Sequence, residues 1–123
     1  SLFAISQTLK VKENTDLTFE KIPINSPSIL AGSIGFKDNN FLRNPYSVVF
    51  TIKVIAKGKE DKTFTKVIES TGDKSQTDWF PFLMKLTPYQ GENIDIKLIN
   101  SFDTENEKGF IKIYWGNLLI QAE

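Results

Sequence analysis

The chain has 123 residues, of which 40% are hydrophobic and 24% are charged, and its fifteen basic and fifteen acidic side chains cancel. This length and these proportions are typical of one soluble globular domain. Histidine and cysteine are both absent, which excludes thiol nucleophiles, Ser-His relays, disulfides and ordinary zinc sites. We therefore expect a single domain over residues 1–123, either a monomer or one module of a larger protein.

Two classes of partner are not expected. Phosphate recognition usually brings a basic excess and relies on arginine, whereas Arg43 is the one arginine here, so we expect no nucleic acid. No apolar run approaches the roughly 20 residues that cross a bilayer, so we expect no membrane insertion. The segment Ser1–Ser6 lacks the basic and long apolar regions of a signal peptide. A signal, if the protein has one, was removed or lies upstream.

Alternation of apolar residues with a period of two runs along the first half of the chain and predicts β-strands. Four strands follow from this pattern, at Leu2–Val11, Leu17–Ile22, Ile29–Phe36 and Val48–Ile55. The fourth strand carries apolar residues on both faces, which predicts a central position in its sheet. The polar, turn-forming stretch Asp38–Pro45 is predicted to be a loop.

The second half continues the same pattern. Strands are predicted at Thr63–Glu69, Phe80–Leu86, Ile94–Leu98, Ile111–Trp115 and Leu118–Gln121. The segments between them are predicted to be a hairpin tip at Lys57–Lys62, a polar loop at Ser70–Asp78, a corner at Thr87–Asn93, a second polar loop at Ser101–Gly109 and a short turn at Gly116–Asn117. Short strands with turn signals between them at such close intervals predict an all-β sandwich or barrel.

A series of motifs in the second half of the chain occurs in an order that is typical of one group of β-sandwich domains. A strand that begins at Trp79 is followed by Leu-Thr-Pro-Tyr-Gln-Gly-Glu-Asn at 86–93, Ile-Asp-Ile-Lys-Leu at 94–98 and Tyr-Trp-Gly-Asn at 114–117. This order resembles galactose-binding-like jelly-roll domains and is similar to NPCBM-type carbohydrate-binding accessory modules, over about residues 29–120. The resemblance implies a β-sandwich of two antiparallel sheets and an extracellular or periplasmic module that binds carbohydrate.

Two groups of residues are candidates for contact with a sugar. The loop before the fourth strand brings together groups that hydrogen-bond sugar hydroxyls, namely Asn40, Arg43, Asn44 and Tyr46. The alternative for these residues is a solvated loop without a ligand. Trp79 and Trp115 offer indole faces on which sugar C–H groups stack, and the alternative for both is packing in the core or at a sheet edge.

Acidic residues in the last polar loop are candidates for a metal site. Oxygen ligands of the kind that calcium takes are supplied by Asp103, Glu105, Asn106 and Glu107. Members of the family that the chain resembles often carry a structural calcium, so the resemblance implies a calcium site with Asp103 and Glu105 as ligands. The spacing does not match an EF-hand, and ordinary surface charge is the alternative. No other cofactor is expected.

Catalysis is not expected. Glycoside hydrolysis needs two carboxyl groups held across a cleft, and the obvious pairs, Glu60–Asp61 and Glu105/Glu107, lie on predicted hairpin tips. We therefore predict a non-enzymatic module that binds a glycan or cell-surface polysaccharide at its loops or on a shallow face. Two alternatives remain: a structural or protein–protein interaction domain of a surface protein without a sugar site, and a small periplasmic inhibitor or immunity protein.

Overall fold

The structure, a computed structural model, describes residues 4–10, 14–38, 46–70, 80–104 and 110–122. Their strands are β1 (Ala4–Lys10), β2 (Asn14–Pro23), β3 (Ser28–Asp38), β4 (Tyr46–Ile55), β5 (Lys62–Ser70), β6 (Phe80–Lys85), β7 (Asn93–Thr104) and β8 (Phe110–Ala122). A 3₁₀ turn at Thr87–Tyr89 is the one helical element in these ranges. The all-β prediction is confirmed. The described part contains no helix with the length and hydropathy that a bilayer crossing requires.

The strands form two four-stranded antiparallel sheets, with the orders β1-β8-β3-β6 and β2-β7-β4-β5. Among the described strands, β4 and β5 are the only pair that is consecutive in the chain and adjacent in a sheet. Each of the remaining connections joins a strand of one sheet to a strand of the other. Eight strands in two sheets with such crossings form a double-sheet jelly roll. The predicted central position of β4 is confirmed, because β4 lies between β7 and β5.

The core fills the space between the two sheets. On β6 and on β7 up to Asn100, buried residues that face inward alternate with more exposed residues that face out, as the sequence pattern predicts. The fully buried inward positions include Val48, Phe50, Ile52 and Val54 on β4. Two aromatic rings from opposite sheets, Phe64 on β5 and Phe82 on β6, lie 6.0 Å apart between centroids. The sandwich is therefore closed by ring contacts along its β5–β6 side.

The prediction of two strands separated by a turn at Gly116–Asn117 was wrong. One continuous strand, β8, contains a β-bulge at this point: Ala31 pairs with Leu119 and Ser33 with Gly116, so that two residues of β8 stand opposite Gly32. Asn117 has a φ of 53°, a left-handed conformation that asparagine tolerates better than most residues. The strand bends here without ending.

The last polar loop begins later than predicted. We expected it to start at Ser101, but β7 runs to Thr104 and pairs with β4 as far as the Tyr46–Thr104 pair. Asp103 belongs to a residue type that is depleted in strands, and pairing with a central strand overrides that preference. The predicted loop Asp38–Pro45 is shortened in the same way, because Asp38 still pairs with Ile111 as the last residue of β3.

Candidate functional site

One end of the sandwich gathers the strand ends from which the predicted ligand segments depart. Tyr46, the first residue of β4, is in register with Ser70 at the end of β5 and with Thr104 at the end of β7. We call this end of the sandwich the Tyr46 end. In the sequence, the segments 39–45, 71–79 and 105–109 each begin or finish at one of these three residues, so the strand ends next to the three predicted polar loops lie together.

The predicted site residues fall into two groups by what the structure describes of them. Outside the described residues lie Asn40, Arg43, Asn44, Trp79 and Glu105. For Tyr46 and Asp103 the backbone is described, with Asp103 opposite Ser47 in the β4–β7 ladder, whereas their side chains are not. The ligand and calcium assignments of these residues therefore stay predictions. Within the described residues, no three acidic side chains lie together as a metal site.

Trp115 is a core residue rather than a sugar contact. Its side chain is only 1% exposed, so it has no free ring face on which a sugar can stack. It makes edge-to-face contacts with Phe50, at 5.4 Å between ring centroids, and with Phe82, at 6.2 Å. The indole Nε1 donates a hydrogen bond of 2.9 Å to Oδ1 of Asn100. Core packing, the alternative for this tryptophan, is the arrangement in the structure.

Asn100 is an interior residue that sequence reasoning did not single out. It occupies an inward position of β7 and is 1% exposed. Its Oδ1 accepts from Trp115 across the two sheets, while its Nδ2 has no hydrogen-bond partner in the described part of the chain. The signal was present in the sequence, because Asn100 continues the inward series Ile94, Ile96 and Leu98 and is its only polar member. A buried amide at such a position needs a partner.

The opposite end of the sandwich is closed by the corner between β6 and β7. Tyr89 is buried over the end of the core, and Gly91, with a φ of 86°, donates its N–H to the carbonyl of Ile24 at 2.7 Å. Lys59, on the β4–β5 hairpin, donates to the carbonyl of Pro88 at 2.6 Å. Its Nζ also lies 3.3 Å from Glu92 Oε2, a close ion pair without hydrogen-bond alignment. The predicted corner is therefore structural.

Tyr89 should make folding stability depend on alkaline pH. Burial raises the pKa of its phenol above the ordinary 10.0, and the carboxylates of Asp61 and Glu92 raise it further. The unfolded chain therefore loses this proton first, so stability is fully present below about pH 10 and declines as the pH rises beyond it. We expect Tyr89→Phe to lose less of its free energy of unfolding than the wild type between about pH 9.5 and 11, measured by urea denaturation. Parallel pH profiles would contradict this assignment.

The carboxylate pair Glu60–Asp61, considered above for glycoside hydrolysis, lies at the closed end of the sandwich. Glu60 and Asp61 are both exposed on the connection between β4 and β5. Neither is placed across a described cleft from a second carboxylate in the way that glycoside hydrolysis requires. The residues Glu105 and Glu107, the other pair considered, lie outside the described ranges.

Comparison with known proteins gives likeness in structure only. No family model and no curated protein matches the chain. TmCBM61, solved in complex with β-1,4-galactotriose, matches with a TM-score of 0.63 over 98% of this chain and 70% of that chain, at 15% identity. The chain shares the jelly-roll fold of TmCBM61. The β-sandwich of two antiparallel sheets that the sequence resemblance implied is thereby confirmed.

Viral proteins share the same fold. VP2 of the infectious bursal disease virus subviral particle matches with a TM-score of 0.55 over 99% of this chain, at 12% identity. The structure of the Gt strain of that virus matches with a TM-score of 0.50 over 95% of this chain, at 10% identity. The chain spans about a third of each viral chain, 33% and 32%. At such identities the likeness shows the fold alone, and function has to be argued from the site.

Proposed function

We propose that this domain is a non-catalytic carbohydrate-binding module that holds a glycan or cell-surface polysaccharide at the Tyr46 end. The observation that carries the proposal is the fold match over 98% of the chain to TmCBM61, a protein solved with a bound galactotriose. The proposal includes an extracellular or periplasmic location, where such a polysaccharide is accessible. It also includes the calcium site at Asp103 and Glu105.

The topology supports the Tyr46 end as the place of binding. The closed end is occupied by packing contacts of Tyr89, Lys59 and Glu92, whereas the strand ends at Tyr46 and Ser70 adjoin, in the sequence, the segments with the sugar-binding chemistry. Arg43 and Asn44 stand just before β4 in the sequence and Trp79 just before β6. Binding groups are commonly carried on loops that a rigid scaffold positions, and a jelly roll with a packed core is such a scaffold.

The experiment is a titration of the ¹⁵N-labelled protein with β-1,4-galactotriose and with longer β-1,4-galactan, followed by a glycan array. We expect saturable shifts at backbone amides near Tyr46, Ser70 and Thr104. The double variant Arg43→Ala/Asn44→Ala should bind at least about ten-fold more weakly, a loss of about 1.4 kcal/mol. The matched control Lys57→Ala/Glu60→Ala, at the closed end, should bind as the wild type does.

The outcomes separate the function from the site. Absence of saturable binding to every glycan on the array would exclude a sugar module and favour the second candidate, a structural or protein-interaction domain. That candidate is supported by the fold match to VP2, which forms a subviral particle. Binding that survives in the Arg43→Ala/Asn44→Ala variant would retain the module function and place the sugar elsewhere on the domain.

A further inference from the structure

Three lysines occupy neighbouring positions in the sheet β1-β8-β3-β6. Lys37 of β3 pairs directly with Lys112 of β8, and Lys112 pairs on its other side with Thr8 of β1. Lys10 stands two residues after Thr8, so both positions belong to the same face of the strand. Directly opposed residues of an antiparallel pair lie about 5 Å apart. The positions of Lys10, Lys37 and Lys112 therefore form one group on three adjacent strands, which we call the lysine cluster.

The lysine cluster belongs to the outer face of its sheet. Two of its neighbours in the chain, Phe36 and Ile113, are buried in the core, and successive positions of a strand belong to opposite faces. Among the outer positions of these four described strands, the charged residues are the cluster and Lys85, and none is acidic. This face therefore carries charge of one sign, although the net charge of the whole chain is zero.

Like charges that stand directly opposite each other destabilise a sheet. The other sheet contains a second pair of this kind, Lys53 and Lys97. There, the carboxylate of Asp16 on the neighbouring strand lies 3.8 Å from Lys97 Nζ. No outer position of the described strands β1, β8, β3 and β6 offers a carboxylate to the lysine cluster in this way. An anion bound from outside would supply the compensating charge.

The lysine cluster lies at the Tyr46 end of the sandwich. Lys112 is close to the start of β8 at Phe110, and the preceding strand, β7, ends at Thr104. The connection over residues 105–109 reaches at most about 22 Å. β7 has twelve residues and is therefore about 36 Å long. The start of β8 lies near the end of β7 that pairs with Tyr46, because the opposite end of β7 is out of reach.

We propose that the glycan held at the Tyr46 end is anionic and that the lysine cluster binds its carboxylate or sulfate groups. This inference rests on the proposed function and adds the chemical class of the polysaccharide. Lysine is a compact positive charge with three donors, which suits carboxylate and sulfate oxygens alike. An acidic polysaccharide repeats such groups along its chain, so it can contact several lysines at once and gains affinity from each contact. No outer position of the four described strands carries arginine, the residue that nucleic-acid recognition favours.

The test compares polygalacturonate, dextran sulfate and neutral β-1,4-galactan by calorimetry on the whole chain, with neutral dextran as the control for the dextran backbone. At least one acidic polymer should bind about ten-fold or more tightly than the galactan does. Its affinity should fall about ten-fold or more between about 50 and 200 mM salt, because the salt screens the lysine charges. Tight binding of polygalacturonate alone would assign carboxylate groups as the ligand, and tight binding of dextran sulfate alone would assign sulfate groups.

Variants of the lysine cluster test the assignment of the charge. Lys37→Gln/Lys112→Gln removes two like charges that face each other, which should not destabilise the sheet, and it should weaken binding of the acidic polymer about ten-fold or more. Lys37→Arg/Lys112→Arg keeps the charge and should bind as the wild type does. The matched control is Lys57→Gln/Lys85→Gln, which removes the same charge from two exposed lysines at the closed end and should leave binding unchanged.

The outcomes separate this inference from the proposed function. Equal affinity for neutral galactan and for both acidic polymers would overturn the inference and leave the module function in place. Acidic binding that Lys37→Gln/Lys112→Gln leaves unchanged would overturn it as well. Single-stranded poly(dT) that binds as tightly as the acidic glycans would also overturn it, because the face would then select charge alone. Absence of binding to every glycan, neutral or acidic, would instead contradict the proposed function, together with the inference that rests on it.

Discussion

Replacing Trp115 with alanine should lower the free energy of unfolding by about 3–5 kcal/mol, the usual range for removing a buried tryptophan or phenylalanine side chain. Trp115 is 1% exposed and the largest of the fully buried side chains. Its ring contacts Phe50 of the other sheet and Phe82 of its own, both edge-on. Truncation therefore leaves a cavity at the junction of the two sheets. Urea denaturation followed by tyrosine fluorescence and circular dichroism measures the loss.

A double-mutant cycle with Asn100 separates ring packing from hydrogen bonding. Trp115→Phe retains an aromatic ring but removes the N–H that donates to Asn100 Oδ1, so the cost includes about 1–3 kcal/mol for the orphaned amide. Asn100→Leu removes the amide and leaves the indole N–H without its acceptor. The double variant leaves neither polar group, so it should be more stable than the sum of the two single changes predicts. Additive losses would show that the bond contributes nothing.

The strands were predictable because almost all the buried, inward-facing residues are apolar. Along β6, the buried residues Phe82 and Met84 alternate with exposed neighbours, and burial of one sheet face requires that alternation. The corner was predictable for a different reason. Proline fixes the φ that begins a turn, and glycine adopts a positive φ without steric cost, so the spacing of Pro88 and Gly91 predicts a turn.

The bulge of β8 was not predictable from the same signals. Gly116 and Asn117 are turn formers, and a local pattern does not distinguish a turn that ends a strand from a bulge that bends it. The difference is decided by pairing with β3, whose residues are about eighty positions away in the chain.

The candidate site divides along similar lines. Burial of Trp115 follows from its place in the inward series of β8, whereas an isolated tryptophan in a sequence fits both a core and a sugar platform. The residues Asn40, Arg43 and Asn44 were selected by their chemistry. The sequence does not place them relative to Trp79, which is more than thirty positions away. The strand register shows only that the strand ends Tyr46, Ser70 and Thr104 lie together.

Replacing Gly32 with valine should destabilise the fold by about 3 kcal/mol or more, at the upper end of what overpacking of a core causes. A Cβ at this position would lie 2.9 Å from Cζ of Phe82 and 3.0 Å from Cδ2 of Leu118. Both neighbours are buried and cannot swing into solvent. Gly32 also stands opposite the bulge of β8, so relieving the clash requires a shift of backbone in two paired strands. Thermal and urea unfolding both report the loss.

Ala31→Val is the matched control, since it adds two methyl groups at the adjacent residue, which points to the other face of β3 and is half-buried. A β-branched side chain suits such a position, so the change in the free energy of unfolding should stay within about 0.5 kcal/mol. Gly32→Ala should fall between the two, because it introduces the close contact without the γ-carbons. Equal stability of Gly32→Val and Ala31→Val would mean that Phe82 and Leu118 can move apart, and that the two sheets are packed less tightly at the bulge than the distances indicate.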